Sequence, residues 1–307
     1  MRGVRIAVTG ASGFCGSAVA RAAAQAGADV VCVGRRPGPV GRHIFWDATS
    51  GVPDLGGAEV VVHLAAAVGD PRPGLAERRF HQVNVDGARR LLDAARSRPV
   101  VWVSSASVYD PRLDRGHVTE EHPIGGHPTA YGRTKAEGDQ LALARGAIVL
   151  RPRAVYGPGD PHLLPRVLAS VRRGRLLLPG PDVRLSLTAV ENLADACLAA
   201  AAWPPAAYNI VDTQPYHRDD ALLAVLSAHG VTARIHHVPV GLAMAAARLL
   251  HRVTPLSPYA VDQVAHSVVL DPTRAAAQGY RPRHDLAGFL AELVRNREAG
   301  ALGPPVT

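Results

Sequence analysis

The chain has 307 residues, 47% of them hydrophobic and 20% charged, and carries a net charge of +8. That size and balance suit one large globular domain, or a core domain with a smaller companion. No apolar run reaches the ~18 residues of a membrane span, and with aromatics at 5% and no recognition-helix or zinc-finger spacing, neither a membrane nor a nucleic acid is an expected partner.

The N-terminal "MRGVRIAVTG" moves straight into a strand pattern, so the expectation is a cytoplasmic protein without a leader. Cys15, Cys32 and Cys197 are too widely spaced for a metal site or a disulfide framework. The excess of positive charge favours anionic ligands or simply reflects an arginine-rich composition.

In chain order, "VRIAVTG" (4–10) is an apolar run closed by glycine, and "GFCGSAVARAAAQAG" (13–27) is helical, with Gly27 placed to cap it. Further short apolar runs follow at 28–34, 58–66, 99–105 and 146–152. Such runs suit strands buried on both faces of a parallel sheet. Helical stretches at 84–97 and 128–146 separate them. Repeated βα units imply an α/β fold, a doubly wound parallel sheet of Rossmann-like type.

After residue 155 the pattern changes. Residues 160–180 read as a helix and a turn, 191–203 as a helix and 206–212 as a strand. The stretch 238–253 is apolar nearly all round, a buried helix or a cleft wall. The expected organisation is a dinucleotide-binding domain over 1–155, with segments returning near 186–212, and a smaller substrate-binding region mainly over 156–307. The last residues, "GALGPPVT", read as a loose tail.

Three features carry chemistry. "TGASGFCG" places Gly10, Gly13 and Gly16 between the first strand and the first helix. Such a turn brings backbone N–H groups and a helix N-terminus against a pyrophosphate, where side chains would intrude. The second strand ends "VVCVGRR", with Gly34 where an NAD site usually has an acid, followed by Arg35 and Arg36. Those arginines would accept the 2′-phosphate of NADP(H), unless they are solvated loop residues. Finally, "YGRTK" (131–135) holds the only lysine among 34 basic residues. Lys135 follows Tyr131 by one helical turn on the same face. A lone lysine in an arginine-rich chain suggests a compact charge used for chemistry.

Together with "HLAA" (63–66), "NVDGARRLL" (84–92), "VSSASVYD" (103–110) and "LRPRAVYGPGD" (150–160), these motifs make the chain resemble the extended short-chain dehydrogenases/reductases over nearly its whole length. The resemblance implies Tyr131 as general acid/base, Lys135 as the ammonium that lowers its pKa and bonds the nicotinamide ribose, and Ser105 as the hydroxyl that steadies the substrate oxygen. Ser104 and Ser107 stand as alternatives to Ser105. It also implies cofactor contacts from Gly10, Ser12, Gly13, Phe14, Cys15, Gly16, Arg35, Arg36, Asp47, Ala48, Leu64, Ala65, Ala66, Tyr131, Lys135 and Pro152. Asn84 would support the site or serve structure alone, and Asp47 would contact adenine or form an ordinary Asx turn. No metal is implied.

Among members of that family, many that act on nucleotide sugars carry asparagine at the position of Ala154. The alanine here, and the order of the later segments, lean toward the 3β-hydroxysteroid dehydrogenase and 3-oxoalkanoate reductase type. The expected function is an NADPH-dependent reductase of a ketone, or dehydrogenase of the alcohol, on a lipophilic small molecule. A nucleotide-sugar epimerase or ketoreductase and a non-catalytic NADP-binding regulator remain alternatives. Seven arginines between 151 and 184 either grip an anionic substrate group or form a solvated helix face. Relatives often dimerise through a four-helix contact, so a homodimer fits the resemblance.

Overall fold

Runs of Val, Ile, Leu and Ala, too short for helices and too apolar for a solvated face, build the central sheet. The computed structural model describes residues 2–69, 75–161, 163–250 and 257–299. The sheet's strands are β1 (Arg5–Thr9), β2 (Asp29–Gly34), β3 (Arg42–Phe45), β4 (Val60–His63), β5 (Val100–Val103), β6 (Ile148–Pro152) and β7 (Ala207–Ile210). All of its pairings are parallel, in the order β3-β2-β1-β4-β5-β6-β7. The chain winds outward from β1 to β3 and then returns to β4, so the direction of winding reverses between β1 and β4. Ligands of open α/β sheets bind at such a reversal, outside the carboxyl ends of the strands.

The helices are α1 (Phe14–Gln25), α2 (Leu75–His81), α3 (Gly87–Ala95), α4 (Ala130–Ala144), α5 (Leu163–Ser170), α6 (Val190–Ala199), α7 (Arg218–Ala228), α8 (Val240–Leu250), α9 (Pro258–Ala265), α10 (Thr273–Ala277) and α11 (Leu286–Glu298). On one face of the sheet Val19 and Ala23 of α1 and Leu193 and Cys197 of α6 pack on Ile6, Val8, Val62 and Leu150. On the other, Leu91 and Ala95 of α3 and Ala142 of α4 pack on Ala7, Val61, Trp102 and Val149. Burial on both faces is why these strands read as continuous apolar runs rather than alternating ones.

A separate core lies between α5, α7 and α11, where Leu164, Leu226 and Leu290 meet Leu176 and Leu178. Those two leucines belong to a strand, Arg175–Pro179, which pairs in parallel with Arg234–Val238. The sequence reading gave this segment as a turn. The helix expected over 84–97 begins instead as a π-helical turn, Gln82–Asp86, before α3. Of the two readings of the apolar stretch at 238–253, a buried helix or a cleft wall, α8 does not fit the first. Leu242 is 64% and Leu249 80% exposed, and it packs on α9 mainly through Ala247. Residues 251–253 of that prediction, and the C-terminal tail, lie outside the described residues. Among the described residues no helix is long and apolar enough to cross a membrane.

Candidate active site

The carboxyl ends of the strands carry most of the predicted site residues. Gly10, Ser12, Gly13, Phe14, Cys15 and Gly16 form the turn after β1 and the start of α1. Gly10 takes φ +70°, and a Cβ there would lie 2.8 Å from the backbone nitrogen of Ala65. A Cβ on Gly16 would stand 2.1 Å from the carbonyl oxygen of Gly10. These two glycines therefore serve the turn itself, through close packing against backbone. Gly13 is different: it is exposed, and a Cβ there would meet only the Gly10 carbonyl oxygen, at 3.3 Å. It is the N-cap of α1, which has no side-chain cap bond and no acidic residue in its first turn. A helix start left with free N–H groups and no neighbouring negative charge suits a pyrophosphate, so the turn fits a dinucleotide.

The loop after β4 is fastened to that turn. Thr9 Oγ1 accepts from the backbone nitrogens of Leu64 (3.2 Å) and Ala65 (3.1 Å). Its own proton is thus directed at His63 Nδ1, 2.8 Å away. Burial, and then the charge of Lys135, pull His63 down to about 3, so the ring stays neutral and accepts at Nδ1. It stacks on Trp102 with ring centroids 4.3 Å apart. Neither Thr9 nor His63 was singled out from sequence; the "HLAA" motif held the histidine, but its partner lies 54 residues away.

Arg35 and Arg36 are exposed just past β2, and Asp47 and the buried Ala48 follow β3. The Asp47 side chain makes an Asx turn, Oδ1 accepting from Thr49 N at 2.9 Å and Thr49 Oγ1 at 2.8 Å. Those two bonds hold its carboxyl below the usual range, with the charges of Arg35 and Arg79 adding to them. Pro152 is buried at the end of β6.

Ser105 begins the short 3-10 turn after β5, and its Oγ accepts from Ser107 Oγ at 3.0 Å. Tyr131 and Lys135 lie on α4, whose N-cap Thr129 accepts from Gly132 N at 3.1 Å. Ser105 stands close enough to the Tyr131 side chain to act on its ionisation, while the alternative Ser104 is buried with its hydroxyl unpartnered among the described residues. Asn84 Oδ1 accepts from Ala67 N at 2.7 Å, and its Nδ2 donates to Thr134 Oγ1 at 3.0 Å. It thereby ties the loop after β4 to α4.

One expectation is corrected. Lys135 was to lower the pKa of Tyr131. Instead burial, opposed by Ser105 and helped by the nearby Tyr259 and Cys15, pushes the phenol up to about 12. The Lys135 ammonium donates to the carbonyl oxygen of Val103 at 2.7 Å, and burial, against the pull of Asp139, brings it down to about 8.

The seven arginines do not share one environment. Arg151 is buried in a two-point ion pair with Asp139, Nε to Oδ2 at 3.0 Å and Nη2 to Oδ1 at 2.7 Å. Arg166, Arg172, Arg173, Arg175 and Arg184 are exposed, which leaves Arg153, buried at the end of β6.

A family model described as the NAD dependent epimerase/dehydratase family matches residues 6–211. The chain belongs to this family. Within it the chain is an extended short-chain dehydrogenase/reductase, an oxidoreductase type that uses NAD(P). It is 33% identical over 207 residues to the 4-hydroxy-2-methyl-3-oxo-4-farnesyl-3,4-dihydroquinoline-1-oxide ketoreductase of Stigmatella aurantiaca, an alignment covering 64% of this chain and 61% of that protein. It is 29% identical over 253 residues to the 2-alkyl-3-oxoalkanoate reductase of Stenotrophomonas maltophilia, covering 74% and 76% of the two chains. Among solved structures it is similar to MoeE5 in complex with UDP-glucuronic acid and NAD, with a TM-score of 0.74 at 25% identity over 96% of this chain and all of that one.

Proposed function

We propose that this chain is an NADPH-dependent ketoreductase acting on a lipophilic small molecule. What supports this reading is Lys135 anchored on Val103 at the carboxyl end of β5, with Tyr131 one turn before it on α4 and both close enough to Cys15 of the glycine turn to act on one another's ionisation. When bound, a dihydronicotinamide would supply the hydride for the carbonyl carbon. Tyr131 gives its phenolic proton to the carbonyl oxygen as charge develops there, and Ser105 Oγ donates a second hydrogen bond to the same oxygen. Hydride and proton together convert ketone to secondary alcohol. A phenol pushed up to about 12 is loaded with its proton at neutral pH, which suits reduction. Lys135, anchored on Val103, would hold the ribose. The first-turn N–H groups of α1 would hold the pyrophosphate, and Arg35 and Arg36 the 2′-phosphate. The three cysteines are free thiols, in keeping with a reducing compartment such as the cytoplasm.

Ketoreductase and oxoalkanoate reductase relatives support the lipophilic substrate. So does Ala154, which offers a methyl group where many nucleotide-sugar enzymes of the family carry an amide. The test is NADPH oxidation with medium-chain ketones, set beside UDP- and dTDP-4-keto sugars. Steady turnover of the sugars alone would replace this reading by the nucleotide-sugar one. Replacing both Arg35 and Arg36 with alanine is expected to raise the KM for NADPH at least about tenfold while leaving that for NADH within about threefold, since a charge-assisted phosphate contact is lost.

A further inference from the structure

Helix α8 turns an aliphatic face to solvent. Its inner stripe, Val240, Ala243, Met244 and Ala247, follows helical spacing and packs on Val261 and Ala265 of α9. By the same period Leu242, Ala245 and Leu249 fall on the opposite side, and all three are exposed, the two leucines at 64% and 80%. A surface helix ordinarily turns polar residues outward. The one charge on this helix, Arg248, stands at the flank instead. The strand that leads into α8, Arg234–Val238, pairs with Arg175–Pro179, where Leu177 is exposed as well.

Charge decides what such a face fits. The sequence has no Asp or Glu from 161 to 181 or from 221 to 261, so the strand pair and α8 carry no acid of their own. They do carry exposed Arg175, Arg234 and Arg248, and Arg172 and Arg173 stand exposed just before the first of the two strands. On the neighbouring helices, Asp219 of α7 is engaged by Arg218 at 2.8 Å and His237 at 2.6 Å, and Asp262 of α9 by Arg115 at 3.0 Å and His266 at 3.2 Å. A symmetric contact with a second copy would set these arginines against their own counterparts. A nucleic acid would leave the leucines unmatched. An anionic lipid surface meets both properties, with headgroup charge for the arginines and the acyl boundary for the leucines. At 11 residues α8 is about 16 Å long, far short of a bilayer's apolar thickness, so it would lie in the interface. The lack of a spanning run excludes crossing a membrane, not resting on one.

We propose that the outer face of α8 docks on an anionic lipid bilayer, with Leu242 and Leu249 inserted at the acyl boundary and the arginines of the adjoining strand pair against the headgroups. The inference goes beyond the ketoreductase reading and does not rest on it. Where both hold, a lipophilic ketone would be met in the phase into which such molecules partition.

The test is co-sedimentation of the full chain with vesicles of phosphatidylcholine, alone or mixed with phosphatidylglycerol, beside equilibrium ultracentrifugation without lipid. Wild type is expected to bind the phosphatidylglycerol vesicles at least about tenfold more tightly than the neutral ones. Leu242→Ser/Leu249→Ser should lose at least about tenfold of that binding with an unchanged melting curve, because both side chains are already exposed. Arg175→Gln/Arg234→Gln should weaken binding to the anionic vesicles at least about fivefold and leave binding to the neutral ones as it was. No binding to phosphatidylglycerol vesicles, equal binding to both kinds, or full binding kept in either variant overturns the proposal. So does a leucine variant that no longer folds, since those side chains would then belong to the protein's own packing. A wild-type dimer that the leucine variant dissociates overturns it too, since the face would then belong to a second copy.

Discussion

Ala154 holds φ +44°, in the left-handed region where a Cβ crowds the backbone, and its side chain is exposed. Asparagine tolerates that conformation, so Ala154→Asn is expected to raise stability by about 1 kcal/mol, seen as a higher denaturation midpoint at unchanged m. A lowered midpoint would contradict the strain. Tyr131 gives a second expectation. With its pKa raised from 10.0 to about 12, the folded chain keeps a proton that the unfolded chain releases between those values, so this group's contribution to stability is lost as pH rises through that window. In an ultraviolet difference titration against Tyr131→Phe, the cofactor-free protein should show no tyrosinate from this residue below pH 10. Tyrosinate near neutrality would restore the lysine-assisted phenolate. The grouping of Tyr131 with Lys135 was legible in sequence because a four-residue spacing on a helix is a local fact. The sign of the tyrosine's shift was not, because burial is a property of the assembled site.

At the scale of elements, the glycine turn separates two demands that look alike in sequence. Gly16→Ala forces a methyl group to within 2.1 Å of the Gly10 carbonyl and is expected to cost roughly 3 kcal/mol or more, as backbone cannot yield cheaply. Gly13→Ala, meeting a single atom at 3.3 Å, should fold almost normally yet bind NADPH at least about tenfold more weakly, because the methyl group stands at the pyrophosphate's approach. Melting curves and fluorescence titration distinguish the two; equal loss of stability in both variants would refute the division. The strands of the sheet were legible because apolar runs bounded by glycine leave little choice. Arg175–Pro179 was missed because its "PG" ending reads as a turn, and its partner strand comes from 59 residues further on, where Arg234 pairs with Arg175. The π-helical turn at Gln82–Asp86 was missed because it accompanies the bonds of Asn84 to Ala67 and Thr134, which are tertiary.

At the scale of the molecule, the central sheet is not completed by the first half of the chain. β7 adds to β6 from Ala207–Ile210, and α6 covers the sheet face beside α1. A fragment ending at residue 155 would expose both the open edge of β6 and the apolar bed of α6. Such a fragment is expected to bind a hydrophobic dye and aggregate at micromolar concentration, where the full chain does neither. A monomeric, dye-silent fragment would show that the first half closes its own core. The same late strand bears on synthesis at the ribosome. Between the emergence of Pro152 and that of Ala207 the nascent chain carries an unpaired, largely apolar edge for on the order of several seconds at ordinary elongation rates. Chaperone demand during translation should therefore peak in that interval, well before the last third of the protein has been made.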